Sequence, residues 1–282
     1  MKQKITRRDF LKLAGAGAAV TAALGYGALR ESNGDPIVER NPYVKPGSLF
    51  TAELDGSVPI LVVVNPDAEN KFGLCLTEIL RAEGVNCFHL ATLASLSAEV
   101  IGAYDVILLA ETPLTASQIE MFEGYVFNGG GLVSLKPAAG FESIFGWERN
   151  AGSLSDEYLL YDSAHPVNAG SNPLSLQYHG AADLYALTGG EGLAWLFTKH
   201  APYGKPAITM NQFGDGVAVA YAFDLAKSIA YMRQGNPALA NQDLDGLNGA
   251  RTVDMFVGWI DLERIQIPQA DEQQRMLVNT LA

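Results

Sequence analysis

The chain has 282 residues, of which 48% are hydrophobic and 18% are charged, a composition that excludes an extended disordered protein and predicts a globular one. Its formal charge of −12 disfavours nucleic acid and acidic membrane surfaces as partners, since both are bound through Lys and Arg. The charge is unevenly distributed: residues 1–28 hold five basic residues and one acidic residue, so the remaining 14 basic and 30 acidic residues carry −16.

The first 29 residues have the plan of an export signal. Arg7 and Arg8 open the motif Arg-Arg-Asp-Phe-Leu-Lys, and an apolar run rich in Ala and Gly follows from residue 13 to residue 29. This pattern resembles a twin-arginine (Tat) signal, so we expect Arg7 and Arg8 to contact the Tat export machinery and the protein to be periplasmic or extracellular. No ideal cleavage site follows, so a cleaved signal and an uncleaved membrane anchor both stay open.

Residues 30–57 are rich in Pro, Gly, Asn and charge, which is typical of a linker or lead-in. From residue 58, short apolar runs alternate with segments of helical periodicity. The pattern predicts strands at 60–64, 85–90, 105–110 and 132–135 and helices at 71–83, 95–101 and 115–127. Because parallel strands need a crossover connection, this alternation predicts an α/β fold with a flavodoxin-like, open and mostly parallel sheet that has helices on both faces.

The rhythm changes after residue 146. Turn-forming residues without a clean period extend to about residue 175, and the predicted strands that follow are 184–187, 193–198, 207–211 and 217–223. Gly214-Asp215-Gly216 is typical of a tight turn, so we expect an antiparallel β-hairpin segment to extend the sheet.

We expect one α/β domain over residues 58–230, then a loop and C-terminal helices over residues 231–282. The last predicted helix, 271–282, has no Gly, Pro or basic residue to cap its end. We therefore expect this end either to stand alone or to lead into a further domain.

Several segments, taken in order, resemble one family. They are Ala103–Leu109, Leu114-Thr115, Asn128–Val133, Ala164–Val167, Pro206–Thr209, Phe213–Val219 and Phe223–Leu225. Over residues 58–230 they resemble the class I glutamine amidotransferase-like superfamily, in particular the branch with the β-galactosidase trimerisation domain and the ThuA-like trehalose-utilisation proteins. The resemblance implies an accessory module of the kind that accompanies carbohydrate-active catalytic domains.

The resemblance also implies that the amidotransferase nucleophile is missing. Active members place a cysteine on a strained strand-to-helix turn, supported by a His and a Glu. The corresponding turn here is Lys136–Gly140, which has Ala138 and Ala139 at its centre and no thiol, hydroxyl or carboxylate. Cys75 and Cys87 lie elsewhere in the sequence. We therefore assign no catalytic residue.

Two other patterns in the sequence resemble metal or acid-base sites only in part. The histidines His165, His179 and His200, taken with Asp162 or Asp183, have none of the spacings typical of metal ligands. The segment Asn241–Gly246 resembles the first half of a calcium loop, but Thr252 stands where the bidentate carboxylate belongs. We expect turn residues and a solvated loop, and therefore no metal and no cofactor.

Polar side chains follow the predicted parallel strands. Ligands of open α/β sheets gather at the carboxyl ends of the strands, although polar residues also commonly begin loops. The ligand-binding residues predicted on this basis are Asn65, Asp67, Glu111, Thr112, Lys136 and Asp224.

Two functions follow from the sequence. The first is an exported, non-catalytic, amidotransferase-like module for assembly or carbohydrate-linked binding, with a carbohydrate ligand or a catalytic domain as its partner. The alternative is an extracytoplasmic hydrolase that acts on a sugar or amide substrate through strand-end carboxylates, above all Glu111 and Asp224. A shared cleft that holds both carboxylates would favour the hydrolase.

Overall fold

The computed structural model describes residues 49–239, 246, 248 and 268–282. Within these residues, nine strands form one mixed sheet and two strands form another. The first half comprises β1 (Ile60–Val64), α1 (Leu76–Ala82), β2 (Phe88–Thr92), α2 (Ala98–Ile101), β3 (Val106–Leu109), α3 (Ala116–Phe127) and β4 (Gly131–Leu135). The second half comprises β5 (Trp147–Ser155), β6 (Tyr158–Tyr161), β7 (Leu176–Gln177), β8 (Ala181–Leu187), β9 (Glu191–Phe197), β10 (Pro202–Phe213), β11 (Gly216–Tyr221), α4 (Leu225–Gln234) and α5 (Gln269–Leu281).

The strands of the first half of the chain, together with β11, form the parallel part of the large sheet. Neighbouring strands in the order β2-β1-β3-β4-β11 run parallel, and all five side chains of β1 are buried, as expected for a strand covered on both faces. The four strands and three helices predicted before residue 136 are confirmed. The helix predicted at 71–83 begins as a 3-10 turn over Phe72–Cys75 before α1. The α/β class is therefore confirmed, whereas the flavodoxin-like assignment stays a prediction.

Helix α3 shows how local sequence sets an element boundary. Thr115 and Gln118 form a capping box, in which the Thr115 hydroxyl accepts from the Gln118 N–H and the Gln118 amide oxygen accepts from the Thr115 N–H. After the helix, Gly130 passes so close to Tyr125 that a Cβ there would lie 2.3 Å from the ring. A glycine is therefore required where the chain turns from α3 into β4.

The second half of the chain forms the antiparallel part of the structure. The predicted hairpin is confirmed as β10 and β11, and β9, β6 and β7 extend the same sheet, while β5 and β8 pair separately. β5 and β6 lie where the sequence predicted only turn-forming residues, and that part of the prediction is wrong. The reason is visible in β5, where most side chains are exposed or half-exposed, so no clean alternation of apolar residues marks it.

The predicted C-terminal helix is confirmed as α5. Its Met276 and Leu277 are buried, as their spacing predicted, but so are three glutamines and Glu272. Gln273 accepts a hydrogen bond from the Ser228 hydroxyl, and the Gln274 amide donates to the backbone oxygen of Ile79. Helix α5 is thus tied to both α4 and α1.

Several predicted segments lie outside the described residues. They are the export signal at 1–29, the lead-in up to residue 48, and the 241–246 loop apart from Gly246.

Candidate functional site

A cleft of about 890 Å³ opens at the carboxyl edge of the parallel strands. Because β1, β3, β4 and β11 run parallel, the loops that follow them meet at this edge, and all four loops line the cleft. The lining also includes Arg149 of β5, Lys227 of α4 and, at the start of β8, His179, Gly180, Ala181 and Asp183. Ligands of open α/β sheets bind at this edge, so the cleft is the candidate functional site.

Four of the six predicted ligand-binding residues line the cleft: Glu111, Thr112, Lys136 and Asp224. Asn65 and Asp67 lie beside it, in the turn after β1. The Asn65 side chain accepts from the Asp67 N–H at 3.0 Å and donates to the Thr112 hydroxyl oxygen, also at 3.0 Å. Asn65 therefore joins the loop after β1 to the loop after β3, and it does not form part of the lining.

Asn70 links the two carboxylates on which the hydrolase alternative depends. Its Nδ2 donates to Glu111 Oε2 at 2.6 Å and to Asp224 Oδ2 at 2.7 Å. Because both oxygens accept from one nitrogen, their separation cannot exceed the sum of these distances, about 5.3 Å. The Asn70 side-chain oxygen accepts from the Phe72 N–H at 2.8 Å, which fixes the orientation of the amide. The carboxylates of Glu111 and Asp224 thus share one oriented donor.

Lys136 places a cation next to this pair. Its Nζ lies 3.2 Å from Glu111 Oε1, and both side chains are about a quarter exposed. Lys136 directly follows β4 and has a left-handed backbone with φ of 44°, which is unfavourable for a residue with a Cβ. The conformation is held by β11, because the Lys136 N–H donates to the Tyr221 oxygen at 2.9 Å. The strained turn therefore places a cation in the lining of the cleft.

Asp224 is the buried member of the carboxylate pair, with 4% of its surface exposed. It is the N-cap of α4, and its Oδ1 accepts from the N–H groups of Ala226 and Lys227 at 3.0 and 3.2 Å. Burial raises the pKa of the Asp224 carboxyl, and the hydrogen bond from Asn70 opposes the rise, while the charge of Glu111 adds to it. Both oxygens of Asp224 therefore have protein donors.

Arg149 supports the wall of the cleft that comes from the second sheet. Its guanidinium donates to Glu142 Oε1 at 2.7 Å, to Asp183 Oδ2, and to the Pro137 oxygen at 2.9 Å. It also lies over the Tyr185 ring, 5.0 Å from the centroid. These contacts fix β5 and β8 against the loop after β4, so the wall is rigidly attached to the site.

Lys227 and Phe72 lie together in the lining of the cleft. The Lys227 Nζ is 5.8 Å from the centre of the Phe72 ring and 5.5 Å from that of Tyr231, and the two rings meet edge to face at 5.1 Å. His179, which is 1% exposed, also reaches the lining and lies 3.6 Å from a carboxylate oxygen of Asp156. The cleft thus combines charged, amide and aromatic groups.

Three residues of the site, Asn70, Lys227 and Arg149, were not predicted from the sequence. Asn70 lies in the same polar loop as Asn65 and Asp67. The signal that could have found it is the length of this loop, which extends past Asp67. Lys227 lies in the first turn of α4, and Asp224 marks the start of that helix as its N-cap. The N-cap signal could therefore have placed Lys227 near the cleft. Arg149 comes from β5, which carries no usable strand pattern.

The histidines considered as ligands are dispersed. His165 Nε2 lies 3.1 Å from Glu191, whereas His179 is near Asp156 and His200 is an exposed residue of the turn after β9. In the part of the chain that the structure describes, no group of three His, Cys, Asp or Glu side chains is arranged to hold a metal ion.

The fold and the site define an α/β protein with a polar, partly buried cleft at the carboxyl edge of its sheet. Residues 4–24 match the family model of the twin-arginine translocation pathway signal sequence. The predicted Tat signal is thus confirmed, and it directs the chain to export. None of the helices among the described residues is long and apolar enough to cross a membrane.

Several solved structures are similar to this chain. The cold-adapted β-galactosidase from Rahnella sp. R3 is 17% identical with a TM-score of 0.48 over 58% of this chain and 28% of its own. The β-galactosidase from Bacillus circulans sp. alkalophilus is 14% identical with a TM-score of 0.47 over 65% and 32%. The cytoplasmic protein STM3548 from Salmonella typhimurium is 12% identical with a TM-score of 0.48 over 79% and 98%.

The chain spans about a third or less of the length of these two β-galactosidases. No curated protein sequence matches it.

Proposed function

We propose that this chain is an exported, non-catalytic module that binds a carbohydrate in the cleft, either in assembly or as an accessory to a carbohydrate-active enzyme. The observation that carries the proposal is the network in which Asn70 joins Glu111 to Asp224 and Lys136 pairs with Glu111. The proposal retains the amidotransferase-like, flavodoxin-like interpretation of residues 58–230.

The chemistry of the cleft suits a ligand with many hydroxyl groups. Each sugar hydroxyl both donates and accepts, and the cleft presents carboxylate acceptors on Glu111 and ammonium donors on Lys136 within 3.2 Å of each other. Phe72 adds an apolar surface against which a sugar ring can pack. Because Asn70 and the cap of α4 already orient the carboxylates, little side-chain entropy is lost when a ligand binds.

Calorimetric titration of the full chain with a panel of oligosaccharides tests this function. The matched variants are Glu111→Gln, which keeps the shape but removes the charge facing Lys136, and Glu120→Gln, on the exposed surface of α3. We expect Glu111→Gln to weaken binding about tenfold, the loss expected for one hydrogen bond to a charged group, and Glu120→Gln to leave it unchanged. Absence of binding to any oligosaccharide would overturn the proposal.

A second candidate function, a hydrolase for a sugar or amide substrate, is favoured by the distance between Glu111 and Asp224. A separation of at most about 5.3 Å is in the range of the paired carboxylates of retaining glycosidases. In such a reaction Asp224, with its raised pKa, would donate the proton, and Glu111, which pairs with Lys136, would act as the nucleophile or base. We rank this candidate second, because Asp224 is almost fully buried and both of its oxygens accept hydrogen bonds from the protein.

Hydrolysis of aryl glycosides and aryl amides by the full chain distinguishes the two functions. A hydrolase would lose turnover by several orders of magnitude in both Glu111→Gln and Asp224→Asn, and its pH profile would follow the raised pKa of Asp224. Binding without turnover by the wild-type chain would support the module and exclude the hydrolase for those substrates.

A further inference from the structure

Lys227 differs from the other cations of the cleft in what its charged group touches. Its Nζ lies over the Phe72 and Tyr231 rings, and no acceptor or carboxylate of the described residues is within bonding distance of it. The stem of Lys227 passes Gly180, where an added Cβ would lie 3.4 Å from the lysine Cδ. A glycine at this position leaves room for the lysine to reach the cleft.

The remaining cations of the lining already have oxygen partners. Lys136 pairs with Glu111, and Arg149 pairs with Glu142 and Asp183. Lys71, which is exposed, donates to the backbone oxygen of Pro66. Lys227 is therefore the cation in this lining that is available to a bound anion.

The charge balance of the cleft also differs from that of the whole chain. The chain carries −12, but the lining contains as many basic as acidic side chains. The basic members are Lys71, Lys136, Arg149 and Lys227, and the acidic members are Glu69, Glu111, Asp183 and Asp224. An anionic ligand that is repelled by most of the surface therefore meets no net negative charge at this site.

The half-buried Lys227 ammonium gains some cation–π attraction from the rings, but none of the residues that the structure describes offers its three N–H donors an oxygen acceptor. We infer that the cleft takes an anionic carbohydrate, bearing a carboxylate as in a uronic acid or a sulfate, and that Lys227 binds the anionic group. The inference rests on the proposed carbohydrate-binding function and narrows its ligand class.

Three ligands matched in length test it by calorimetry with the full chain: a neutral galacto-oligosaccharide, an oligogalacturonate and a sulfated galactan oligosaccharide. We expect one or both anionic ligands to bind at least about tenfold more tightly than the neutral one, with an advantage that shrinks as salt is raised. The anionic ligand that binds more tightly identifies the substituent.

Substitutions of single lysines test whether Lys227 is responsible for the preference for anionic ligands. Lys227→Gln should remove the preference for the anionic ligand, Lys227→Arg should retain it, and Lys199→Gln, at an exposed lysine of the turn after β9, should leave it unchanged. If Lys227→Gln does not fold, the salt dependence of the wild-type chain and the Lys227→Arg variant still decide the question.

Equal affinity for neutral and anionic oligosaccharides would overturn the inference and leave the carbohydrate-binding function standing. A preference that survives in folded Lys227→Gln would overturn the role of Lys227. Failure of every oligosaccharide to bind would overturn both proposals.

Discussion

Replacing Asn70 with alanine is expected to destabilise the chain strongly at neutral pH and weakly at acidic pH. The substitution removes the one amide that donates to both Glu111 and Asp224, at 2.6 and 2.7 Å. It also removes the acceptor of the Phe72 N–H at 2.8 Å. Two carboxylates within about 5.3 Å then lose the donor between them.

The expected loss in the free energy of unfolding is about 3 kcal/mol at pH 7, because a hydrogen bond to a charged group contributes roughly 1.5–3 kcal/mol. The hydrogen bond to Asp224 should contribute nearly its full value to the free energy of unfolding, since Asp224 is 4% exposed and bulk water cannot replace the amide. The bond to Glu111 counts for less, because a side chain that is about a quarter exposed can be hydrated instead.

The pH dependence follows from Asp224. Burial raises the pKa of its carboxyl, and the hydrogen bond from Asn70 lowers it, so the Asn70→Ala variant should have a pKa that is raised further. Below that pKa the protonated carboxyl no longer carries a buried charge that needs the amide. The difference in stability between the wild-type chain and the variant should therefore shrink as the pH falls.

Urea unfolding of both proteins at pH 7.5 and pH 5 measures the effect. The matched control is Asn86→Ala, because the exposed Asn86 amide donates only to the Gly84 oxygen at 3.2 Å, and its loss should cost less than about 0.5 kcal/mol. If Asn70→Ala matched this control at pH 7.5, or lost more stability at pH 5 than at pH 7.5, the shared-donor interpretation would be refuted.

Three further changes test other parts of the structure. Thr115→Ala should lower the free energy of unfolding by about 1 kcal/mol in urea titrations, since it removes the N-terminal cap of α3. Gly146→Ala should lower the free energy of unfolding by about 3 kcal/mol or more, because the residue has φ of +65° and an added Cβ would lie 2.2 Å from a backbone nitrogen. The control Gly170→Ala, at a residue with φ of +84° and open space around it, should lower it by only about 1 kcal/mol. Carboxyl NMR, assigned with Asp224→Asn, should give a pKa for Asp224 above the ordinary value of about 3.9. The contribution of this carboxyl to the free energy of unfolding should fall as the pH rises from the ordinary pKa through the raised one.

The parallel half of the fold could be predicted because its signals are local and strong. β1 is a run of five buried aliphatic residues, and α3 has a complete capping box before its apolar positions. The antiparallel half could be predicted only in part. β5 is mostly exposed, and β7 has two residues, so their pairing is determined by tertiary contacts that no local pattern records.

The residues of the candidate site also differ in how well the sequence predicts them. Glu111, Thr112, Lys136 and Asp224 could be predicted to lie together because the topology of a parallel sheet brings its strand ends to one edge. The bridging role of Asn70 could not be predicted, because it depends on how the loop after β1 folds back across that edge. Arg149 arrives from a strand that the sequence did not reveal.

The backbone of Lys136 shows how the fold holds a charged group at this site. A left-handed conformation costs a residue with a Cβ about 1–2 kcal/mol, so it persists only where surrounding contacts hold it. Here the contacts are the N–H bond to Tyr221 of β11 and the ion pair with Glu111. The turn thus presents an ammonium group beside a carboxylate. The strained backbone is therefore stabilised by the same contacts that hold the Lys136 ammonium beside Glu111 at the cleft.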